Sequence, residues 1–440
     1  MLRRTLLTAA ATSPLALSGC TSSTTTPPVE PTVAGSTTTV PQQSPAGKVQ
    51  LTFASYAFED ATVKATQDIV DSWNVANPDA TVIYEKVDPS TRHERLATQL
   101  ANGTAPDVIH DDAVGLAGFS QHGHLADLGP LLPAAVRSEV SERAWASVTH
   151  GGIITGVPTI TPVATVFVNT ALLQAAGIPV PTAGTPWSWD TLQANARTLT
   201  RGPEAYGFAW GLKSPAAALM PAGLAFDGTF VSGDGPKPAM TVGDKELEVP
   251  RRIKAMLDAK VMAPASLTLS APEVLPGFFM GAYAMIMTSC AVARQIGAVS
   301  PPGLTWAMIP LLTGTSQNQG ITPQTLSITK GSKHPQQAMA FIAHYLQAGR
   351  LAKVAEGDGL VPVPRAAAEV ARTDIGTAFG WDAVLASSPF LVDAPWNRAE
   401  KLSQWRSEVA DPAYLEFLGG RTDPATLQAR LGDGWKRLNA

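Results

Sequence analysis

The spacing of apolar positions changes along the chain, and those changes lay out its elements. Val49 to Ala54 is dominated by β-forming residues and predicts a strand. Past Glu59-Asp60 the apolar residues Val63, Ile69, Val70 and Trp73 share one helical face, and Asn77-Pro78-Asp79 stops the helix. Thr81 to Val87 alternates as a strand. Thr91-x-x-Glu94 has the capping-box pattern and opens a helix with Leu96 and Leu100, ending at Asn102-Gly103; Asp107 to Ile109 is a third strand. Strand, helix, strand, helix, strand predicts a mainly parallel sheet with helices on both faces, and such sheets bind ligands at the carboxyl ends of their strands. The loops so placed are Ser55 to Glu59, which offers Tyr56 and Glu59, and His110-Asp111-Asp112. Asp112 is expected to cap the following helix and Asp111 to contact ligand; the other reading makes both aspartates caps and turn formers.

Ile153 to Asn169 is rich in β-branched residues and interrupted by Pro158 and Pro162, which lack ladder donors and so avoid central sheet positions. A helical pattern follows in Ala171 to Gly177. Here the chain is expected to leave one α/β lobe and enter a second, with a ligand cleft beside Thr159 to Ala164 and Thr161 on its wall. An ordinary strand inside one large domain is the alternative. Ser188 caps a helix carrying Leu192, Ala196 and Leu199, with Trp187 and Trp189 packing at its start. Tyr206 to Trp210 and Met285-Ile286-Met287 read as strands, and Val249 to Lys260 as an amphipathic helix. Met308-Ile309-Pro310 is expected to recross to the first lobe, where Ala338, Phe341, Ile342, Tyr345 and Leu346 mark a helix.

The first residues add a compartment. Arg3 and Arg4 precede an apolar run, Thr5 to Leu17, that is too short to span a bilayer and reads as a signal peptide. Leu17-Ser18-Gly19-Cys20 resembles a bacterial lipobox, which implies that residues 1–19 are removed and that Cys20 carries lipid. Arg3-Arg4-Thr5-Leu6-Leu7 also resembles a twin-arginine signal, so the export route stays open. Residues 20–47 are rich in Ser, Thr and Pro with almost no charge, the composition of a disordered tether. With Cys20 acylated, Cys290 has no disulfide partner and a buried inert thiol is its default. A chain of 440 residues with 45% hydrophobic content is large enough for two cores, since single cores stop growing at about 250–300 residues.

Charge and motifs narrow the function. The 32 basic and 36 acidic residues form no basic block, so no nucleic-acid partner is expected. The sequence holds no Gly-x-Ser-x-Gly elbow, phosphate loop, His-Glu-x-x-His or Cys-x-x-Cys, and no cofactor is expected. His122-x-His124 and His110-Asp111-Asp112 lack the companion ligands of a metal site. A glycosidase needs two carboxylates brought together, and nothing local marks such a pair, so no enzyme is expected.

Six motifs carry a resemblance. Ala105-Pro106-Asp107-Val108-Ile109 followed by Gly123-His124-Leu125-Ala126-Asp127-Leu128, Phe167-Val168-Asn169 before a helix, Pro186-Trp187-Ser188-Trp189-Asp190-Thr191-Leu192, Phe279-Met280-Gly281-Ala282-Tyr283-Ala284-Met285, Gly331-Ser332-Lys333-His334-Pro335, and Gly357-Asp358-Gly359-Leu360-Val361-Pro362 run in register from Val49 onward. Together they resemble extracellular solute-binding protein family 1, the maltose-binding-protein-like sugar-binding lipoproteins of ABC importers. The resemblance implies a two-lobed, type II periplasmic-binding-protein-like α/β fold: two mainly parallel sheets with flanking helices and an interlobe cleft. Lobe one is expected at 48–159 plus about 310–356, and lobe two at 160–309 plus about 357–440. It implies a monomeric, membrane-tethered receptor that binds a carbohydrate or sugar derivative, such as an amino sugar, and delivers it to permease subunits. A glycerophosphodiester, polyol or amine is the alternative ligand, and an exported hydrolase the alternative class. The cleft residues so implied are Trp210, Ser289, Gly320, Leu360, Trp396 and Asn397, with Trp396 the expected sugar platform and Trp210 a second; the other reading of both tryptophans is core packing. Thr288-Ser289-Cys290 lacks the aromatic that the family often carries there.

Overall fold

The computed structural model describes residues 48–233, 237–376 and 378–440; the expected signal peptide, lipidation at Cys20 and tether fall on residues outside those described. The amino-terminal part follows the sequence pattern closely: β1 Val49–Ser55, α1 Asp60–Ala76, β2 Ala80–Lys86, α2 Arg92–Asn102, β3 Val108–Asp112 and α3 Ala113–Gln121. Helix α1 buries Ile69, Val70 and Trp73, and ends where the Asn77 amide bonds the Trp73 carbonyl. The capping box at Thr91 does not form. Thr91 sits near helical dihedrals and its side chain makes no cap bond, while Gly103 closes α2 in the left-handed conformation.

The extended stretch then breaks into β4 Val157–Pro158, β5 Ile160–Thr161 and β6 Ala164–Asn169. Beyond it come α4 Trp189–Leu199, β7 Tyr206–Trp210, α5 Pro215–Gly223, α6 Asp244–Asp258, β8 Tyr283–Ser289, α7 Val292–Val299 and β9 Trp306–Met308. The Ser188 hydroxyl accepts from the Thr191 amide, so the expected cap is present. The chain returns through β10 Gln319–Ile321, β11 Gln324–Ile328, α8 Pro335–Tyr345, α9 Ala348–Asp358, β12 Val361–Pro362 and β13 Leu391–Asp393.

Among the described residues these strands build a five-stranded sheet in the order β2-β1-β3-β11-β4 and a four-stranded sheet in the order β9-β6-β8-β7. Both are mixed rather than mainly parallel. β1 runs parallel to β2 and β3, but β11 enters after the excursion through the second sheet and lies antiparallel to both β3 and β4. In the second sheet only β7 and β8 are parallel; β6 is antiparallel to β8 and to β9. Pro158 occupies the edge strand β4 and Pro162 falls in the break between β5 and β6, where a missing amide donor is tolerated.

Each sheet has an aromatic-rich core on its helical side. Phe53 on β1 meets Phe341 edge-on at 5.3 Å, between the first sheet and α8. Phe208, Trp189, Leu192 and Met285 pack in the second. Crossing segments tie the two together. β5 pairs antiparallel with β12, and the Val363 amide donates to the Thr159 carbonyl at 2.8 Å. β10 pairs in parallel with β13. The carboxyl ends of β1, β3, β7 and β8 therefore meet loops or crossings, and these ends carry the polar groups described next.

Candidate functional site

On the first sheet, the end of β1 and the middle of β3 face α9 through a buried polar chain. The Thr62 hydroxyl donates to Asp358 Oδ1, and Gln324 Nε2 donates to Asp358 Oδ2 at 3.1 Å. Gln324 Oε1 is then an acceptor, which assigns the proton to His110 Nε2 at 2.9 Å. His110 Nδ1 in turn accepts from the Ser55 hydroxyl at 2.7 Å, while Ser55 Oγ takes the Ala57 amide at 3.2 Å. Burial lowers the pKa of His110, so the imidazole stays neutral within the chain.

An ion cluster lies beside it. Arg92 donates through Nε to Asp111 Oδ1 and through Nη2 to Asp112 Oδ2, each at 2.8 Å. Asp111 also accepts from the Asp112 amide at 2.7 Å, and its Oδ2 is 3.1 Å from His93 Nε2. Burial disfavours the Asp111 carboxylate, but His93 and Arg92 outweigh it and hold the pKa below the usual aspartate value. Asp112 Oδ1 accepts from the Gly115 amide at 2.6 Å and caps α3, as the sequence predicts. The carboxylate of Asp111 is thus occupied within the protein, and this geometry gives no support to its reading as a ligand contact. Tyr56 is half-buried, with the Arg92 guanidinium 4.9 Å from its ring centroid and the His110 ring at 5.0 Å. Glu59 is exposed at the start of α1 and makes no side-chain cap bond.

On the second sheet a cavity of about 410 Å³ opens at the carboxyl ends of β7 and β8. Trp210, Thr288, Ser289 and Gly320 line it, together with Ala217, Ala218 and Pro221 on one flank of α5. Gln319 crosses its back: Oε1 accepts from the Ala164 amide at 2.8 Å and Nε2 donates to the Ala164 carbonyl at 2.9 Å. Asn397 lies behind the wall and donates to the Ile321 carbonyl and to Thr322 Oγ1, each at 3.2 Å. The wall is made of hydroxyls, amides, small apolar side chains and an indole; Lys213 is its one ionisable residue.

The remaining expected cleft residues fall elsewhere. Thr161 is fully buried in β5, its hydroxyl bonded to the Pro162 carbonyl. Leu360 borders a separate groove of about 520 Å³ with Lys64, Arg294 and Trp381. Trp396, the expected platform, does not line the cleft: it is 0% exposed in the second core, edge-on to Phe230 at 5.5 Å. The chain after β13 turns inward as a short 3-10 helix, which carries the indole away from the cavity and leaves Asn397 beside it. Cys290 is buried, its thiol pushed up to about 11 by burial, with Sγ 3.3 Å from the Gly359 carbonyl. Sequence reasoning missed Arg92, Gln319, Gln324 and Asp358. Arg92 and Asp358 stand inside patterns that gave them no role, and all four acquire their roles from partners that only the fold brings near.

Comparison with known proteins agrees with this architecture. The family described as bacterial extracellular solute-binding protein matches residues 57–349. An uncharacterized lipoprotein from the oleD 5' region of Streptomyces antibioticus is 33% identical over 387 residues, covering 87% of this chain and 85% of the relative. Among solved structures, the GacH receptor of Streptomyces glaucescens, determined unliganded and with acarbose, has a TM-score of 0.66 at 21% identity over 89% of this chain and 98% of its own. The cyclic alpha-maltosyl-1,6-maltose binding protein of Arthrobacter globiformis has a TM-score of 0.74 at 15% identity over 89% and 99%. A cyclo/maltodextrin-binding protein complexed with maltotetraose has a TM-score of 0.76 at 15% identity over 90% and 98%.

Proposed function

The chain belongs to the bacterial extracellular solute-binding proteins, a family of binding receptors rather than enzymes, and we propose that it is the membrane-tethered substrate-binding component of an ABC importer for a carbohydrate or sugar derivative. The observation that carries the reading is the cavity at the carboxyl ends of β7 and β8. Hydroxyl and amide groups suit sugar hydroxyls, and the apolar flank of α5 with Trp210 suits the C–H faces between them. The names of the structural neighbours, which concern acarbose, a cyclic maltosyl-maltose and maltotetraose, favour the same ligand class. In this reading the lobes are 48–159 plus about 310–356 and 160–309 plus about 357–440, and ligand is held between them. The lipidated Cys20 keeps the receptor at the cell membrane, beside the permease that takes the sugar; the relative named as a lipoprotein supports that anchor. Capture of an amine draws less support, because the Asp111 and Asp112 carboxylates are already paired with Arg92.

A thermal-shift screen of the de-lipidated protein tests this, with maltotetraose, glucosamine and glycerophosphocholine as probes. A ligand at a hundredfold excess over its Kd stabilises by about 2.7 kcal/mol, a clear rise in midpoint. A shift with a saccharide is expected. A shift with glycerophosphocholine alone, or with no saccharide in the panel, would overturn the carbohydrate reading.

A further inference from the structure

The cavity at the carboxyl ends of β7 and β8 has an uneven charge. Among the described residues Lys213 is the one ionisable group in its wall, and no carboxylate, arginine or histidine lines it. The Lys213 ammonium makes no hydrogen bond and no ion pair with any described residue. Glu273 feels that charge, yet its carboxylate already accepts from the Ser270 hydroxyl and amide at 2.6 and 2.7 Å, and these bonds lower its pKa more than Lys213 does. Asp411 takes the Ala216 amide at 2.8 Å and does not line the cavity.

The backbone holds this lysine in place. Leu212 is fully buried, and its amide donates to the Ser266 carbonyl at 2.8 Å; the Lys213 amide donates to the Leu269 carbonyl at 3.0 Å. Pro215 then opens α5, nine residues long, with Ser214 at its N-cap. Ser214 makes no side-chain cap bond, and it lines the cavity with Ala217 and Ala218 of the first turn. The amino end of a helix carries a partial positive charge, so it adds to the ammonium rather than offsetting it. In the same wall Thr288 is 3% exposed, and its hydroxyl has no hydrogen-bond partner among the described residues. A buried hydroxyl left alone is unfavourable, and a ligand hydroxyl that bonds it removes the penalty.

We propose that the cavity selects an acidic saccharide, a uronate whose carboxylate pairs with Lys213 beside the amino end of α5 while its ring hydroxyls bond Thr288 and Ser289. This inference rests on the carbohydrate reading above and adds the charge of the ligand to it. A lone ammonium matches the single charge of a carboxylate. A phosphate ester carries about two charges at neutral pH, and its recognition favours guanidinium groups that this wall lacks. An amino sugar would set ammonium against ammonium, with no carboxylate in the wall to receive it. A lysine that served only to solvate the surface would be indifferent to all three.

Calorimetric titrations with two matched pairs decide the matter: glucose with glucuronate, and maltotetraose with the same tetrasaccharide oxidised to a uronate at its non-reducing end. The parent is expected to bind the acidic member of a pair at least about tenfold more tightly, a difference of 1.4 kcal/mol. That preference should shrink as salt rises above about 0.1 M, where the Debye length falls below about 10 Å. Lys213→Met should abolish the preference and Lys213→Arg should retain it. Lys213 is exposed, so both variants should melt with the parent. Equal affinities within both pairs, or a preference that survives in Lys213→Met, overturn the acidic-saccharide proposal and leave the carbohydrate reading standing. If no member of either pair binds the parent, the carbohydrate reading fails first and the charge of its ligand falls with it.

Discussion

Single residues here divide between those that hold the site and those left open to ligand, and Asp111 and Asp112 show how. They are neighbours of one residue type at the end of one strand, yet their side chains do different work. Asp112 caps α3 through one amide, and losing such a cap costs about 1 kcal/mol. Asp111 is 3% exposed at its side chain and faces Arg92 and His93. Removing it takes the Nε partner from a guanidinium that is itself only 22% exposed and leaves Asp112 as its one carboxylate partner, a loss of roughly 1.5–3 kcal/mol. Denaturant melts are therefore expected to rank Asp111→Ala well below Asp112→Ala, and equal losses would show that the cluster is not a unit. The same cluster sets an acid limit. The folded pKa of Asp111 lies below its unfolded value of about 3.9, so its stabilisation is complete above that pH and is lost as pH falls through the folded pKa. The acid arm of a stability–pH curve should flatten in Asp111→Ala. Sequence alone supplied the cap, because Asp before a helix has a local reason to be there. It missed the ion cluster, because Arg92 reaches Asp111 only after α2 has packed beside β3.

At the scale of elements, strands and helices were legible wherever a local period ran unbroken. β1, α1, β2 and α2 fall within a residue or two of their expected limits because alternation and the helical repeat are properties of adjacent residues. Sheet direction was not legible. β11 joins β3 across a long stretch of chain, and nothing in either segment's composition fixes antiparallel pairing. Trp396 was misplaced for a related reason. A tryptophan beside Pro395 and Asn397 looks the same whether the turn points inward or outward, and the packing of Phe230 decides it. Trp396→Ala is accordingly expected to cost about 3–5 kcal/mol of stability, as large aromatic truncations in cores do. Urea midpoints check this. A variant that melts like the parent but fails to bind sugar would return Trp396 to the ligand site.

For the molecule as a whole, the crossings matter more than the sheets. β5 and β12 pair into a two-stranded ribbon between the sheets, and Gly357 at the end of α9 lies so close to α1 that a Cβ there would meet Thr62 Oγ1 at 2.6 Å. We propose that this narrow ribbon is the hinge on which the two lobes rotate as bodies. Small-angle scattering under saturating ligand should show a smaller radius of gyration than the unliganded protein. An unchanged radius would replace the hinge with a fixed pocket. By itself the sequence determined the order of elements, the caps at Asp112 and Ser188, and the loops at the carboxyl ends of β1 and β3, since all of these follow from forces between near neighbours. Only the tertiary structure decided which polar groups are spent on each other, as in the chain from Asp358 through Gln324 and His110 to Ser55, and which apolar side chains, Val75, Met280 and Phe58 among them, remain uncovered. Burial and pairing are set by segments tens to hundreds of residues apart, and no local period records them.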